Sequence, residues 1–577
     1  MKLTDLLSKV LKKNLVKNVY GLQGGAVVHI FDSLKKEGIK ITFTHHEESA
    51  ALAAVANAKA TNELGCAVVT TGPGATNAIT GLMAAWQDSI PVIFISGQAR
   101  SNHTSYNKKV RQVGTQEVNI CDVVKPLTKY TKFIKKRESF FKELNKAIQI
   151  AKSGRPGPVW LDLALEMQWA EVKDFNKITK INAKKLSEKI VNINKAIRII
   201  NERKKVLFIL GYGVKLSKLN QNKMKKFFHE KNIPFVLTWN TADLFPTNDA
   251  YNLGIIGMSG QRGANKSMFD CDLIVCLGTH LSIPHTTTLY RNFSPNSKKI
   301  IVNIDKDQLK NLNVKFDIKI HSDCKIFFEK IISKIKKKEN KALFNYKNLN
   351  WYEPTKKKLP NSNTFIHHLT SNIKSKNCII IDGGGTALYA GFQSSVVNKN
   401  TKIICSSAIS SMGTGLPETL GAFDSKKFKD LFCIIGDGSF LMNCQELQTI
   451  RHKNINVKII LVNNNGYAAI RHTQKEFLNK KYIGTLPPND ISFPNFMKLS
   501  KAFNIKYIKI DTNDKANKLI KNIQKLKGPI IIDLIVDQNQ EALFKQGYKK
   551  NIDGTFFPMP LSEMFPFVDK PISNTNN

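Results

Sequence analysis

Two short stretches of this chain carry residue types at a spacing that could do chemistry. "GDGSFLMN", Gly436 to Asn443, follows the apolar run "LFCII", and "NNNGY" follows "VKIILV". An aspartate between glycines at the end of a buried strand is a poor choice for stability alone. Glycine raises the entropy cost of ordering the chain, and the acid must be solvated or paired. The next residues, "LMNCQELQTIRHK", space Leu441, Leu447 and Ile450 as one helix face would. A helix starting there aims its free N–H groups and its positive dipole end at the Gly436–Ser439 turn, which suits phosphate. Asp437 and Asn464 then lie at the ends of two strands with one helix between them. An acid oxygen, an amide oxygen and a peptide carbonyl beside phosphate form a hard oxygen site of the kind Mg²⁺ prefers. Read singly, the motifs are a helix N-cap and a turn at Asn463–Asn465. Together they point to a metal–diphosphate site.

The elements that must position these residues alternate helix with short apolar strand. The 577 residues exceed one compact core, and three α/β domains with doubly wound parallel sheets are expected. The first, 1–170, carries "ITFTH", "GCAVVTT", "PVIFISG" and "PVWLDLA" after an amphipathic helix and a short strand. The second, 190–335, carries "KVLFILG", "PFVLTW", "CDLIVCLG" and "KIIVNID". The third, 360–545, carries "NCIIIDGGG", "TKIICSS", "LFCIIGDG", "VKIILVNN" and "PIIIDLIVD". Lysine- and asparagine-rich linkers are expected at 172–190 and before 360, and an irregular tail with a disordered end over 546–577. The first and third domains each place a glycine turn, "TTGPGATN" and "IIGDGSF", after a buried strand, so one site can be built between two strand ends. The "LGYGV" of the middle domain is not GxGxxG and argues against nicotinamide binding.

A net charge of +42 invites a nucleic-acid reading. The lysines are spread along the chain among many Asn and Ile, however, so we read a solvated basic surface and no polynucleotide partner. Nine cysteines sit mostly in strand-like runs without a CxxC pair, which fits reduced core thiols in a cytoplasmic protein better than zinc. No run of about 20 apolar residues suggests a membrane span.

The pairing of GDG with NN resembles the thiamin-diphosphate motif, and the whole chain resembles the acetolactate synthase family. "GLQGGAVVHIFDSL" (21–34), "HHEESAALAA" (45–54), "TTGPGATNAITGLMAAWQDSIPVIFISGQ" (70–98), "SSMGTGLPETLGA" (410–422) and the metal motif fall in family order. The resemblance implies a pyrimidine-binding, a central and a diphosphate-binding domain, with thiamin diphosphate and Mg²⁺ as cofactors. It implies that Glu47 contacts the aminopyrimidine ring, where its carboxyl favours the imino tautomer that removes the thiazolium proton. It implies that Met412 wedges under the cofactor and that the Gly466 carbonyl joins Asp437 and Asn464 on the metal. Ser410, Gly436, Gly438, Ser439 and Tyr467 fall in the same cofactor-binding motifs. Gly385, Thr386 and Ala387 stand where the family usually has Gly-Gln-His in a second diphosphate loop, so two side-chain contacts differ.

Gln116 matches a family active-site glutamine. Thr115 replaces the usual phenylalanine, and Gln23, before Gly24 and Gly25, replaces a proline. Both pocket changes are toward polar groups, which favour a hydroxylated acceptor. The resemblance leaves FAD open: "LGTHLSIPHTT" lacks the arginine that helps hold it, while "GMSGQRGANKSM" keeps flavin-loop character. Two enzyme readings follow. One is decarboxylation of pyruvate with transfer to a second 2-keto acid. The other acts on a different keto substrate such as a keto sugar, since the tail "PLSEMFPFVD" is similar to thiamin-dependent enzymes of surface-sugar synthesis. A non-enzymatic basic scaffold is the third class, and intact Glu47, Asp437 and Asn464 argue against it. The family's site spans subunits, so a homodimer or homotetramer is expected. A regulatory subunit is possible in this family but not indicated by the chain.

Overall fold

Three six-stranded sheets, every neighbouring pair of strands parallel, organise the computed structural model, which describes residues 1–172, 178–184, 189–552 and 555–567. The first contains β1 (Asn18–Gly21), β2 (Lys40–Phe43), β3 (Gly65–Val69), β4 (Val92–Gln98), β5 (Tyr130–Ile134) and β6 (Val159–Ala164). The second contains β7 (Val206–Leu210), β8 (Phe235–Leu237), β9 (Asn252–Ile255), β10 (Leu273–Leu277), β11 (Lys298–Asn303) and β12 (Ile318–His321). The third contains β13 (Asn377–Ile381), β14 (Thr401–Ile404), β15 (Asp430–Gly436), β16 (Val457–Asn463), β17 (Lys506–Ile510) and β18 (Ile530–Ile535). The inner strands are apolar and buried along their length, as a parallel sheet covered by helices on both faces requires.

The first and third sheets share one topology. Their orders, β2-β1-β3-β4-β6-β5 and β14-β13-β15-β16-β18-β17, are the same order offset by twelve strands. Each reverses direction after its first strand, so the crevices lie at the carboxyl ends of β1 and β3 and of β13 and β15. The central sheet runs β12-β11-β10-β7-β8-β9, the order of a dinucleotide-binding fold.

Helix Glu47–Thr61 joins the outer two domains. Its small side chains are buried nearly all round because it is covered on one side by its own sheet and on the other by helix Gly415–Asp424. A Cβ on Gly421 would collide with the Ala53 carbonyl and lie 2.8 Å from Ala56 Cβ, so the backbones touch. Polar ties fix the register. Asn57 Nδ2 donates to the Gly421 carbonyl at 3.1 Å, and buried Lys59 reaches Asp88 at 2.6 Å and the Cys405 carbonyl at 2.7 Å.

Several details differ from the sequence reading. The single helix expected after the GDG turn is two, Asp437–Met442 and Glu446–His452. The break falls at Asn443, whose buried amide is committed to long-range bonds: Nδ2 to the Gly413 carbonyl at 2.9 Å and Oδ1 from the Ser49 hydroxyl at 2.9 Å. Strands β5, β9, β12 and β17 were not expected; each lies at a sheet edge. The tail carries two small antiparallel pairs, Lys545–Gln546 with Met564–Phe565 and Tyr548–Lys550 with Phe556–Pro558. The linker expected at 172–190 lies partly, and the chain end expected to be disordered lies wholly, outside the described residues. Among the described residues no helix is long and apolar enough to cross a membrane.

Glu418 tests the joint. It is fully buried on Gly415–Asp424, and burial pushes its carboxyl up to about 7, against the pull of the Lys59 charge and the Ser406 hydroxyl at 2.6 Å. The folded state therefore holds this proton more tightly than the unfolded chain. Its contribution to stability is full below the ordinary carboxyl range and is lost as pH rises toward 7. The melting temperature of Glu418→Gln relative to wild type should therefore rise between pH 4.5 and 7. A difference independent of pH contradicts the assignment.

Candidate functional site

The third domain gathers its cluster at the ends of adjacent strands. β15 and β16 pair Gly436 with Val462, so Asp437 and Asn464 emerge side by side. Asp437, 2% exposed, accepts the Gly466 N–H at 3.0 Å through Oδ2 and the Gly438 N–H at 2.8 Å through Oδ1. The first bond reaches the neighbouring loop, which a helix cap does not do. Burial pushes the Asp437 carboxyl up to about 6, against those N–H groups and the charge of Arg471. A buried acid held this way ionises fully when a cation faces it.

The loop after β16 has a single workable shape. Gly466 has φ +132°, and a Cβ there would collide with the Thr485 carbonyl and lie 2.7 Å from the Arg471 guanidinium. Arg471, buried on helix Ala468–Phe477, braces the same loop through the carbonyls of Asn464 at 2.9 Å, Thr485 at 2.9 Å and Gln538 at 2.7 Å. Asn464 Nδ2 donates to Thr386 Oγ1 at 3.1 Å, tying the loop after β16 to the glycine loop after β13. Tyr467 lays its ring against Gly438, where a Cβ would strike it.

That second loop is stapled from beneath. Buried Asp382, at the end of β13, accepts the Gly415 N–H at 3.0 Å and the Gly384 N–H at 3.3 Å, and burial pushes its carboxyl up to about 6. Helix Gly385–Ser394 follows, with Gly385 at φ +63° and nothing within 4 Å of where its Cβ would stand. Gly436 is equally open. Free space over two glycines, beside a helix N-terminus, is a cradle that larger residues would fill. Buried Ser439 stands in the first turn of helix Asp437–Met442. Half-buried Met412 packs on Gly384. Ser410 is exposed at φ +51°, with its hydroxyl on the Ser407 carbonyl at 2.8 Å. Ala387 differs in character: its methyl lies in the domain core, leaving its backbone as the part that can meet a ligand.

The first domain gathers a second cluster around Thr70–Gly74, after β3. Glu47, 7% exposed at the start of its helix, accepts from Asn77 Nδ2 at 3.1 Å through Oε2, while Oε1 faces Gly74. Gly24 abuts Thr70, with Gln23 exposed before it and Gly25 after it. The Gln116 carbonyl lies against Gly72 and accepts from the Thr71 hydroxyl at 3.3 Å; the Thr115 and Gln116 side chains are exposed. A buried network holds this loop. Thr71 Oγ1 donates to Gln98 Oε1 at 2.8 Å, and Gln98 Nε2 to the Val118 carbonyl at 2.8 Å and to Asp162 at 3.0 Å. Asp162 also accepts from Ser96 at 2.6 Å and Tyr106 at 3.1 Å.

The residues flanking Glu47 link the clusters. The His45 N–H donates to Glu446 at 2.9 Å and Ser49 to Asn443 at 2.9 Å, both just beyond the GDG helix. Sequence reasoning missed Arg471, Asn443, Asp382, Gln98 and Asp162, whose roles depend on distant partners. A cavity of about 510 Å³ opens beside Thr386, lined also by Met258, Ala469, His472, Glu476 and Glu541.

Known proteins resemble the chain along its length. The descriptions "Thiamine pyrophosphate enzyme, N-terminal TPP binding domain", "central domain" and "C-terminal TPP binding domain" match residues 1–123, 193–331 and 383–534. The chain is 30% identical over 562 residues to the acetolactate synthase large subunit of Cyanidium caldarium, covering 93% of each. It is 30% identical over 573 residues to the probable acetolactate synthase large subunit of Methanocaldococcus jannaschii, covering 93% of this chain and 92% of that protein. It is 26% identical over 537 residues to the acetolactate synthase isozyme 2 large subunit of Escherichia coli, covering 91% and 93%.

The loop geometry yields a test. Gly466→Ala should leave the sheet intact by circular dichroism yet weaken thiamin diphosphate binding in calorimetry by about tenfold or more, since strain of about 1–3 kcal/mol falls on the loop. Unchanged affinity would show that the loop does not hold the cofactor.

Proposed function

Since this chain belongs to the thiamine pyrophosphate enzymes, in the acetolactate synthase family, we propose that it decarboxylates a 2-keto acid, pyruvate first, and joins the acyl group to a second carbonyl. The observation that supports this most is the buried Asp437 carboxylate bonded to the Gly466 loop beside Asn464, on neighbouring strand ends. In this reading the Asp437 and Asn464 oxygens and the Gly466 carbonyl hold Mg²⁺, and the open glycines at 385 and 436 admit the diphosphate. Thiamin diphosphate, when bound, supplies the electron sink for decarboxylation.

The chain's own residues do the rest. Asn77 orients the Glu47 carboxyl through Oε2, leaving Oε1 to share a proton with a ring nitrogen. Burial keeps water from competing for that proton. Gln116, held by Gly72 and Thr71, presents its amide to the substrate. The acyl donor loses carbon dioxide, its former carbonyl carbon bonds to the acceptor's carbonyl carbon, and the acceptor oxygen takes a proton. Two pyruvates give acetolactate and one carbon dioxide. Glu47 and Asp437 lie in separate clusters, so a homodimer or homotetramer that pairs clusters between chains belongs to the same proposal.

A second reading keeps the donor and changes the acceptor. The cavity beside Thr386 is far larger than a short keto acid needs. Its lining sets Asn363, Glu476 and Gln540 among the rings of Phe477, Phe556 and Phe565, which leaves room and a few polar partners for a larger acceptor such as a keto sugar. Incubation with thiamin diphosphate, Mg²⁺ and pyruvate separates the two: acetolactate supports the first, and carbon dioxide without acetolactate supports the second. Neither product sinks both.

Glu47→Gln should bind thiamin diphosphate with near-wild-type affinity and lose turnover by about 10²–10⁴-fold. Near-native turnover, measured as carbon dioxide release, would remove Glu47 from this role.

A further inference from the structure

The strand order of the central domain places a dinucleotide crevice at the carboxyl ends of β7 and β10, where the order reverses. In such a fold, free N–H groups of the turn after the first strand, and the helix that follows, cradle the pyrophosphate. Here two of those donors are spent. The Gly211 N–H donates to the Leu277 carbonyl at 2.8 Å and the Gly213 N–H to the Gly278 carbonyl at 3.0 Å, so the two loops are bonded to each other across the crevice. Their backbones touch: a Cβ on Gly213 would lie 2.7 Å from Gly278 Cα, and one on Gly211 would meet the Gly278 carbonyl. The helix that follows is only Gly213–Leu216, too short to focus a dipole.

The rest of the crevice is taken by contacts between domains. Tyr212 packs on the core shared by the outer domains, with Lys215 over its ring. Arg155 of the first domain reaches Asp305, after β11, at 3.3 Å and Gln308 at 3.4 Å, while its Nε holds Ser89 at 2.8 Å. Asn240, after β8, donates to Asp88 at 2.7 Å. The segment that keeps flavin-loop character, "GMSGQRGANKSM", is likewise joined to "LGTHLSIPHTT", the segment without the flavin-holding arginine. The Met258 N–H donates to the Pro284 carbonyl at 2.8 Å, and a Cβ on Gly257 would lie 2.5 Å from that oxygen and 3.2 Å from His285 Cα. His285 lies 5.4 Å from the Trp239 ring with its Nδ1 on Ser282 at 3.1 Å, and its Nε2 is enclosed without a partner among the described residues.

We infer that this crevice is closed by the chain's own backbone and serves as the joint between the first and central domains, so that the enzyme holds no FAD or other dinucleotide there. The residues present do not fit the flavin that the family implies, and the central domain acts as structure.

The test uses the full chain, purified without added flavin and then titrated with FAD and with NAD⁺. No flavin should be released on denaturation, and added protein should not quench FAD fluorescence. Stoichiometric flavin, or saturable binding of either dinucleotide, overturns the inference. Arg155→Met should lower the melting temperature as the joint loosens, and His285→Leu should raise it by removing an unpartnered enclosed nitrogen. An Arg155→Met melting temperature equal to wild type would overturn the joint. Thiamin diphosphate binding, measured on the same samples, reports separately on the proposed activity.

Discussion

The contact between helix Glu47–Thr61 and helix Gly415–Asp424 sets the geometry on which the remaining structure depends. It is made of small residues at backbone distance, with Gly421 against Ala53 and Ala56, and it brings together two sheets of identical topology. A close contact of this kind permits little sliding, because any added methylene must displace backbone. The same helix begins with Glu47 and carries Ser49 onto Asn443, so its packing also fixes where Glu47 stands. Buried Lys59 adds register through the Cys405 carbonyl of the third domain, and Asp88 pairs its charge: either one alone would be an uncompensated buried charge, costing about 3–5 kcal/mol.

Buried acids on or beside strands recur through the outer domains. Asp437 and Asp382 each directly follow a strand of the third sheet and Asp162 lies within β6 of the first, and burial raises each to about 6 while surrounding N–H and O–H donors pull the other way. Their work differs. Asp382 and Asp162 spend their oxygens on the protein, the first stapling the glycine loop to Gly415 and the second anchoring the loop that carries Gln116. Asp437 holds its own loops with two bonds and sits where the open glycines converge. The site is therefore carried by loops whose shapes are fixed by buried carboxylates rather than by surface ion pairs, which at exposed positions stabilise by about 0–1 kcal/mol.

The chemistry was more legible in the sequence than the details that support it. Asp437 and Asn464 could be read because each directly follows a continuous apolar strand, and a strand buried on both faces leaves an unbroken run of Ile, Leu and Val. Edge strands leave no such mark: "YTKFI", "NLGI", "IKIH" and "KYIKI" are short or mix polar with apolar residues, because only one edge of each pairs. The broken helix at Asn443 was hidden for a different reason. The helical spacing of Leu441, Leu447 and Ile450 is real, yet the bonds that tie Asn443 to Gly413, 30 residues away, and to Ser49, 394 residues away, override it. Arg471 looked like one more charge in a basic chain, and only the fold turns it onto four carbonyls of three loops. The closed central crevice lay beyond reach as well, since "LGYGV" shows a missing motif but not the bonds that fill its place.

The most direct test of the central claim is calorimetric titration of thiamin diphosphate, with and without Mg²⁺, into the wild-type chain and Asp437→Ala. If Asp437 anchors the metal of the cofactor site, wild-type binding depends on Mg²⁺. The variant should then bind at least about 100-fold more weakly, since even outer partners of metal ligands cost about 10–100-fold. Equal, Mg²⁺-dependent affinity in the two proteins would contradict the account.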